Sequence, residues 1–251
     1  MIELANRGPV AVLTMQHGKA NAMDSTFCAD LISRLEELRS SPARAIVITG
    51  QGNIFSAGVD LVRALEGGPD YFRQFLPPLR RAFEAVFFYE KPIVAAVNGH
   101  AIAGGCVLTC TTDRRLMAQG SGRIGITELL VGVPFPVVAL EIMRFAAAPH
   151  HFERIVYSGA TFPPDAAVEL GLVDETVAPD ALLDRAVAAA ETLAALGPEA
   201  FALTKRQTRQ PVRERLDKDG PRFDPAVDAI WYAPETAARI RDYVTRTFKK
   251  M

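Results

Sequence analysis

Three stretches of the chain could do chemistry, and two of them would do it with backbone alone. In Phe55-Ser56-Ala57-Gly58-Val59-Asp60, small residues flank a glycine, which lets the main chain turn sharply and approach a ligand closely. In Asn98-Gly99-His100-Ala101-Ile102-Ala103-Gly104-Gly105-Cys106, an apolar run breaks into a glycine-rich turn and then a helix start. Helix starts leave N–H groups unpaired and carry partial positive charge, so such a turn can hold an anionic oxygen. The third stretch, Gly125-Ile-Thr-Glu128 through Gly132, sets a carboxyl among Ile124, Ile126, Leu129, Leu130 and Val131. An apolar pocket raises a carboxyl pKa and suits it to proton transfer near neutral pH. The plainer reading of Glu128 is a structural residue.

Other chemistries find less support. Neither glycine-rich loop continues into the Gly-Lys-Ser/Thr of a phosphate-cradling loop, and neither carries a dinucleotide-binding spacing. Cys28, Cys106 and Cys110 are too few and too odd in number for a disulfide framework. Cys106 and Cys110 sit four apart with no second Cys or His pair at zinc spacing to complete a site, so no metal is expected. With 28 Lys plus Arg against 29 Asp plus Glu, the net charge of −1 removes the footprint of a general nucleic-acid binder. Hydrophobic residues make up 49% of the chain, which excludes a disordered protein. The ends read as neither signal peptide, membrane span nor targeting signal, so a reducing cytoplasmic setting is expected. Charge is uneven: residues 203–251 hold twelve basic and seven acidic side chains, a segment that could meet phosphates or a neighbouring subunit.

Apolar runs at Val10–Met15, Ala45–Thr49, Ile93–Val97, Arg115–Ala118 and Leu172–Val177 predict strands. Helices are predicted from Asp24 or Ser25 to Ser40, over Tyr71–Tyr89 with a break at Pro77-Pro78, and from Gly104 to Thr111. Phe135–Ala147, His151–Tyr157, residues 180–196 and most of the remainder also read as helical, with a hinge at Asp219–Pro225. Strands alternating with helices over the first 180 residues imply an α/β core with a largely parallel sheet.

Together and in this order, the motifs resemble the crotonase family, the enoyl-CoA hydratase/isomerase superfamily. The resembling residues are Lys19-Ala-Asn-Ala-Met23, Phe55–Leu61, Lys91 through Cys106, Gly125-Ile-Thr-Glu-Leu-Leu-Val-Gly-Val-Pro134, and Ser158-Gly-Ala through Gly171-Leu-Val-Asp174. The resemblance implies a spiral of repeated ββα units over about residues 1–195, then a helical region, 196–251, for assembly and closure over coenzyme A. It implies acyl-CoA thioester substrates, no cofactor apart from the coenzyme A of the substrate, and homotrimers or dimers of trimers. Carried over position by position, the oxyanion amides are those of Val59 and Gly104. The adenine pocket maps onto the backbone of Phe55, Ser56 and Ala57, with Asp60 and Leu61 beside it. Lys19 and the Tyr243-Val-Thr-Arg246 stretch resemble further coenzyme A contacts, the latter often reaching a neighbouring subunit.

Hydratases of the family hold a water between two glutamates. Glu128 matches one, but Val107 stands where the other is expected, and valine can neither donate, accept nor orient water. One glutamate suffices to move a double bond, so the resemblance points to Δ3,Δ2-enoyl-CoA isomerisation. A hydratase or thioesterase using His100 or Glu141 is the alternative enzyme, and a non-catalytic acyl-CoA binder the alternative of another class. Relatives that bind RNA do so through a lysine-rich helix; the helix from Ser25 to Ser40 has no basic stripe. Pro134-Phe135-Pro136 replaces the Pro-Gly-Ala-Gly-Gly of many hydratases, which implies a reshaped acyl pocket.

Overall fold

The computed structural model describes residues 1–248. Six strands form the main sheet: β1 (Ile2–Arg7), β2 (Val10–Met15), β3 (Ala45–Gly50), β5 (Ile93–Val97), β7 (Arg114–Ala118) and β9 (Glu175–Val177). They lie in that order, with β1 antiparallel to β2 and every later pair parallel. A second sheet of three short parallel strands comprises β4 (Ile54–Ser56), β6 (His100–Ile102) and β8 (Ile124–Gly125). Helices follow these pairs: α2 (Leu61–Phe87) after β3–β4, α3 (Gly104–Cys110) after β5–β6, and α4 (Glu128–Val131) after β7–β8. Each repeat gives its first strand to the large sheet and its second to the small one. This is the spiral of ββα units expected above.

The central strands are apolar on both faces because both faces are covered. Ile46 and Ile48, Ile93 and Ala95, and Met117 point into the main core against the helices. Ala45 and Val47, Val94 and Ala96, and Leu116 point the other way, onto α8 (Leu182–Ala194) through Ala186, Val187 and Ala190. The first helix, α1 (Ser25–Arg39), is capped by Asp24, which accepts from the Phe27 N–H at 2.7 Å. It buries Phe27, Leu31, Leu35 and Leu38 on one face.

Several expectations fail for identifiable reasons. The helix expected from Tyr71 begins at Leu61, with Asp60 as its cap, and Pro77-Pro78 does not break it. Its non-helical residue is Gly68, at φ 60°, and Pro69 opens the following turn, where its missing N–H costs little. Beyond that kink Phe72, Phe75, Leu76, Leu79, Phe83 and Phe87 are buried, and this burial outweighs the prolines' penalty of about 3 kcal/mol. Asp219–Pro225 is no hinge either: α9 runs unbroken from Pro198 to Trp231. Asp224 accepts from the Val137 N–H at 2.9 Å, and Arg80 bonds Asp228, so the C-terminal side of this stretch is pinned. The expected strand at Leu172 starts only at Glu175, because Asp174 bonds Arg115 and holds the preceding residues as a buried loop. Gly120-Ser-Gly-Arg-Ile-Gly125 has dinucleotide-like glycine spacing, but it passes from β7 into β8 and opens no helix.

The remaining helices are α5 (Val137–Ala146), α6 (Phe152–Ser158), α7 (Pro164–Glu169) and α10 (Pro234–Phe248). Among the described residues, no single helix is long and apolar enough to cross a membrane.

Candidate active site

A cavity of about 810 Å³ opens between the loop after β2, the ends of β4 and β6, and helices α2 to α5, α9 and α10. Val59, Gly104, Val107, Glu128 and His100 all line it.

Glycine brings the first two together. Gly58 adopts φ 81°, and a Cβ there would lie 2.7 Å from the Ile102 carbonyl oxygen and 2.9 Å from the Gly104 nitrogen. Only a residue without a side chain lets the two loops touch. Gly105 does the same one residue on, since its Cβ would come within 2.3 Å of the Ser56 carbonyl oxygen. Between them Ala103 sits at φ 51°, a left-handed conformation that strains a residue with a Cβ and turns the chain into α3. Among the described residues, the N–H groups of Val59 and Gly104 donate to no protein acceptor. Both neighbours of Val59 are committed, because Gly58 accepts from the Met23 N–H and Asp60 donates to the Met23 carbonyl.

Asn21 holds the first loop from below. It accepts from the His17 N–H at 2.8 Å, donates to the Phe55 carbonyl at 3.2 Å, and takes the Ser56 hydroxyl on its own carbonyl at 2.7 Å. Phe55 and Ser56 are therefore fully buried structural residues that do not line the cavity. The Ala57 N–H is taken by the Ala20 carbonyl, although Ala57 itself faces the cavity.

Glu128 is the first residue of α4, and Gly132, at φ 87°, ends that single turn. As a residue it is half-buried and lines the cavity, while its Oε2 atom is buried without a hydrogen-bond partner. Burial pushes its carboxyl up to about 7, opposed only by the N–H groups of Glu128 and Thr127. Val107 faces the same space from α3 and is 1% exposed. Leu79, Phe83, Val131, Val133, Ala139 and Trp231 complete an apolar arm.

The other end is polar. Of the residues that resemble coenzyme A contacts, Lys19, Asp60, Leu61 and Tyr243 line the cavity; Arg246 does not, and its Nε turns back to the Asp242 carbonyl. A cluster not foreseen from sequence stands here. Asp24 is buried between His17, 3.1 Å away, and Arg63. Burial alone would raise the Asp24 carboxyl, but the Phe27 N–H, His17 and Arg63 together hold it below its ordinary value. Its members are separated in sequence, so no local motif announces it. Glu141 is excluded from the cavity, paired with Arg144 at 3.1 Å and Arg215 at 3.0 Å. Asp113 is structural: it accepts from the Ile93 N–H and binds Lys205 and Arg209. Cys28, Cys106 and Cys110 are buried free thiols.

Among the described residues, such an arrangement offers two free N–H donors, one unpaired carboxyl that titrates near neutrality, an apolar lining and a polar lining of mixed charge. Comparison with known proteins gives the lineage. A family model described as enoyl-CoA hydratase/isomerase matches residues 5–221. A Thermus thermophilus protein named, provisionally, as an enoyl-CoA hydratase is 35% identical over 205 residues, covering 79% of this chain and 80% of that protein. The rat mitochondrial enoyl-CoA delta isomerase 1 is 26% identical over 221 residues, covering 87% and 76%. The crystal structure of human mitochondrial Δ3,Δ2-enoyl-CoA isomerase superposes with a TM-score of 0.93, covering 99% of this chain and 98% of that one; at 23% identity this is a likeness of fold. The chain belongs to the enoyl-CoA hydratase/isomerase family.

Proposed function

We propose that the protein is a Δ3,Δ2-enoyl-CoA isomerase in which Glu128 is the proton shuttle and the Val59 and Gly104 amides form the oxyanion hole. Relatives carrying hydratase and isomerase names are comparably similar, so the reading is carried by the site. Its main support is that Glu128, with its unpartnered Oε2, faces Val107 across a cavity whose other carboxylates are engaged. Asp24 is ion-paired, and Asp60 caps α2 by accepting from the Val62 and Arg63 N–H groups.

The thioester carbonyl of a 3-enoyl-CoA would accept from the two amides. Ionised Glu128 removes a C2 proton, and the electron pair moves through C2 and C1 onto the carbonyl oxygen. The two N–H donors stabilise that dienolate; losing one donor of this kind typically costs about 3–4 kcal/mol. The pair then returns through C1 and the C2–C3 bond as C4 takes the proton from Glu128. The product is the 2-enoyl thioester, and the carboxylate is regenerated. The apolar arm keeps Glu128 desolvated and leaves no second carboxylate to orient a water. Lys19 and Arg63 at the mouth suit the phosphates of coenzyme A. Trimeric assembly, with Tyr243 and Arg246 near a neighbouring site, belongs to the same proposal.

The test is a paired assay of the parent and Glu128→Gln on 3-enoyl-CoA and 2-enoyl-CoA, with products separated by mass and retention. Isomerisation without hydration, lost in the variant, supports the reading. Hydration at a comparable rate overturns it and directs attention to His100, an imidazole that also lines the cavity. Binding without turnover would make the protein an acyl-CoA carrier.

A further inference from the structure

We propose that Trp231 closes the acyl arm and confines the substrate to medium-length chains, an inference that rests on the acyl-CoA reading above. Helix α2 serves as a ruler. At one end Phe83 adjoins the oxyanion amides, since a Cβ on Gly104 would lie 3.6 Å from Phe83 Cζ. One turn earlier Leu79 also lines the cavity, and Phe72 lies two turns before that. At 1.5 Å per residue, Phe72 is about 16 Å from Phe83 along the axis.

Trp231 meets α2 at that point. Its ring packs against Phe72 at a tilt of 59° with centroids 5.1 Å apart, and its Nε1 donates to the Pro134 carbonyl at 2.9 Å. Trp231 is 3% exposed and Phe72 2%, so packed core lies behind the ring and a chain cannot pass it. The hydrogen bond and the tilted aromatic contact hold the ring in one position. The helix that carries it is tied to α2 through Arg80 and Asp228. An extended chain advances about 1.2 Å per bond, so after the thickness of the ring the arm holds chains from about octanoyl to dodecanoyl. The bulky Pro134-Phe135-Pro136 turn thus gains a purpose: it presents the carbonyl that anchors the indole.

The experiment is titration calorimetry of saturated acyl-CoAs from butanoyl to hexadecanoyl on the parent, Trp231→Ala, Trp231→Phe and Ala139→Leu. The readout is the length at which the gain per methylene stops, whatever the absolute affinity. In the parent, affinity rises about fourfold per added methylene and levels off between octanoyl and dodecanoyl. Trp231→Ala moves that break to longer chains and Trp231→Phe moves it less far. Ala139→Leu, which narrows the same arm from α5, moves it to shorter ones. Should Trp231→Ala not fold, the other two variants carry the same test. A break that stays in place in the folded variants, or a parent gain that continues to hexadecanoyl, overturns the inference while leaving acyl-CoA binding intact. Absence of binding at every length overturns the acyl-CoA reading and this inference with it.

Discussion

At the scale of single residues, the site depends on what glycine lacks and on what burial does to one carboxyl. Gly58→Ala would put a methyl 2.7 Å from the Ile102 carbonyl oxygen at a positive φ, so the loops must part. The expected result is a fall of about 10²–10³ in kcat with a folded protein, read by steady-state kinetics beside circular dichroism. Glu128→Gln keeps the shape but cannot take a proton, and the expected loss is about 10²–10⁴ or more. The base must begin ionised, so kcat/KM for the parent should rise with pH and level off above about 7, where the carboxyl titrates. A profile flat from pH 5 to 9 would remove Glu128 from the role. These positions were legible in sequence because glycine spacing and an apolar frame around a carboxyl are local. Trp231 and the Asp24 cluster were not, since each arises where distant segments meet.

Element by element, legibility followed burial. The strands β2, β3 and β5 are almost continuous apolar runs because both faces are covered, β7 ends in one at Leu116–Ala118, and their positions could be read directly. Strands β4, β6 and β8 escaped notice: at two or three residues, embedded in glycine-rich loops, they show no alternation. Proline misled twice, at Pro77-Pro78 and at Asp219–Pro225, because local breakers yield to a long buried face and to side-chain ties. The tie between α2 and α9 can be measured. Arg80 is 16% exposed, and Asp228 and Asp224 are 25% and 22% exposed. Removing one partner of such a half-buried group should destabilise the fold by about 1–2 kcal/mol, between exposed and fully buried pairs. A double-mutant cycle of Arg80→Ala and Asp228→Ala, followed by denaturant unfolding, should show strong coupling. Additive effects would mean that this ion pair does not help to hold α9 in place.

For the whole molecule, function and stability oppose each other at Glu128. The folded protein holds this carboxyl at about 7, against an ordinary value of 4.5 that the unfolded chain recovers. Between those pH values the folded state binds the proton and the unfolded state does not, so stability falls as pH rises. The proton's contribution is complete below pH 4.5 and gone above about 7, a difference on the order of 3 kcal/mol. An amide in its place is neutral throughout and escapes this penalty. Glu128→Gln should therefore melt at a higher temperature than the parent at pH 8. The gap should shrink on acidification, to below about 1 kcal/mol near pH 5, and vanish only below pH 4.5, where the carboxyl is protonated in both folded and unfolded states. Lys205 bears on the opposite arm of the curve. Burial lowers its ammonium to about 8, so its penalty is present below that pH and fades as pH rises towards 10.5. It is common to both proteins and cancels in their difference. Thermal melts of the pair across pH 5 to 8 thus isolate Glu128, and an equal offset at every pH would mean that the carboxyl is solvated and ionised in the fold. A gap that stops growing with pH near 7, where activity rises to its plateau, would tie the proton lost from the fold to the proton moved in catalysis.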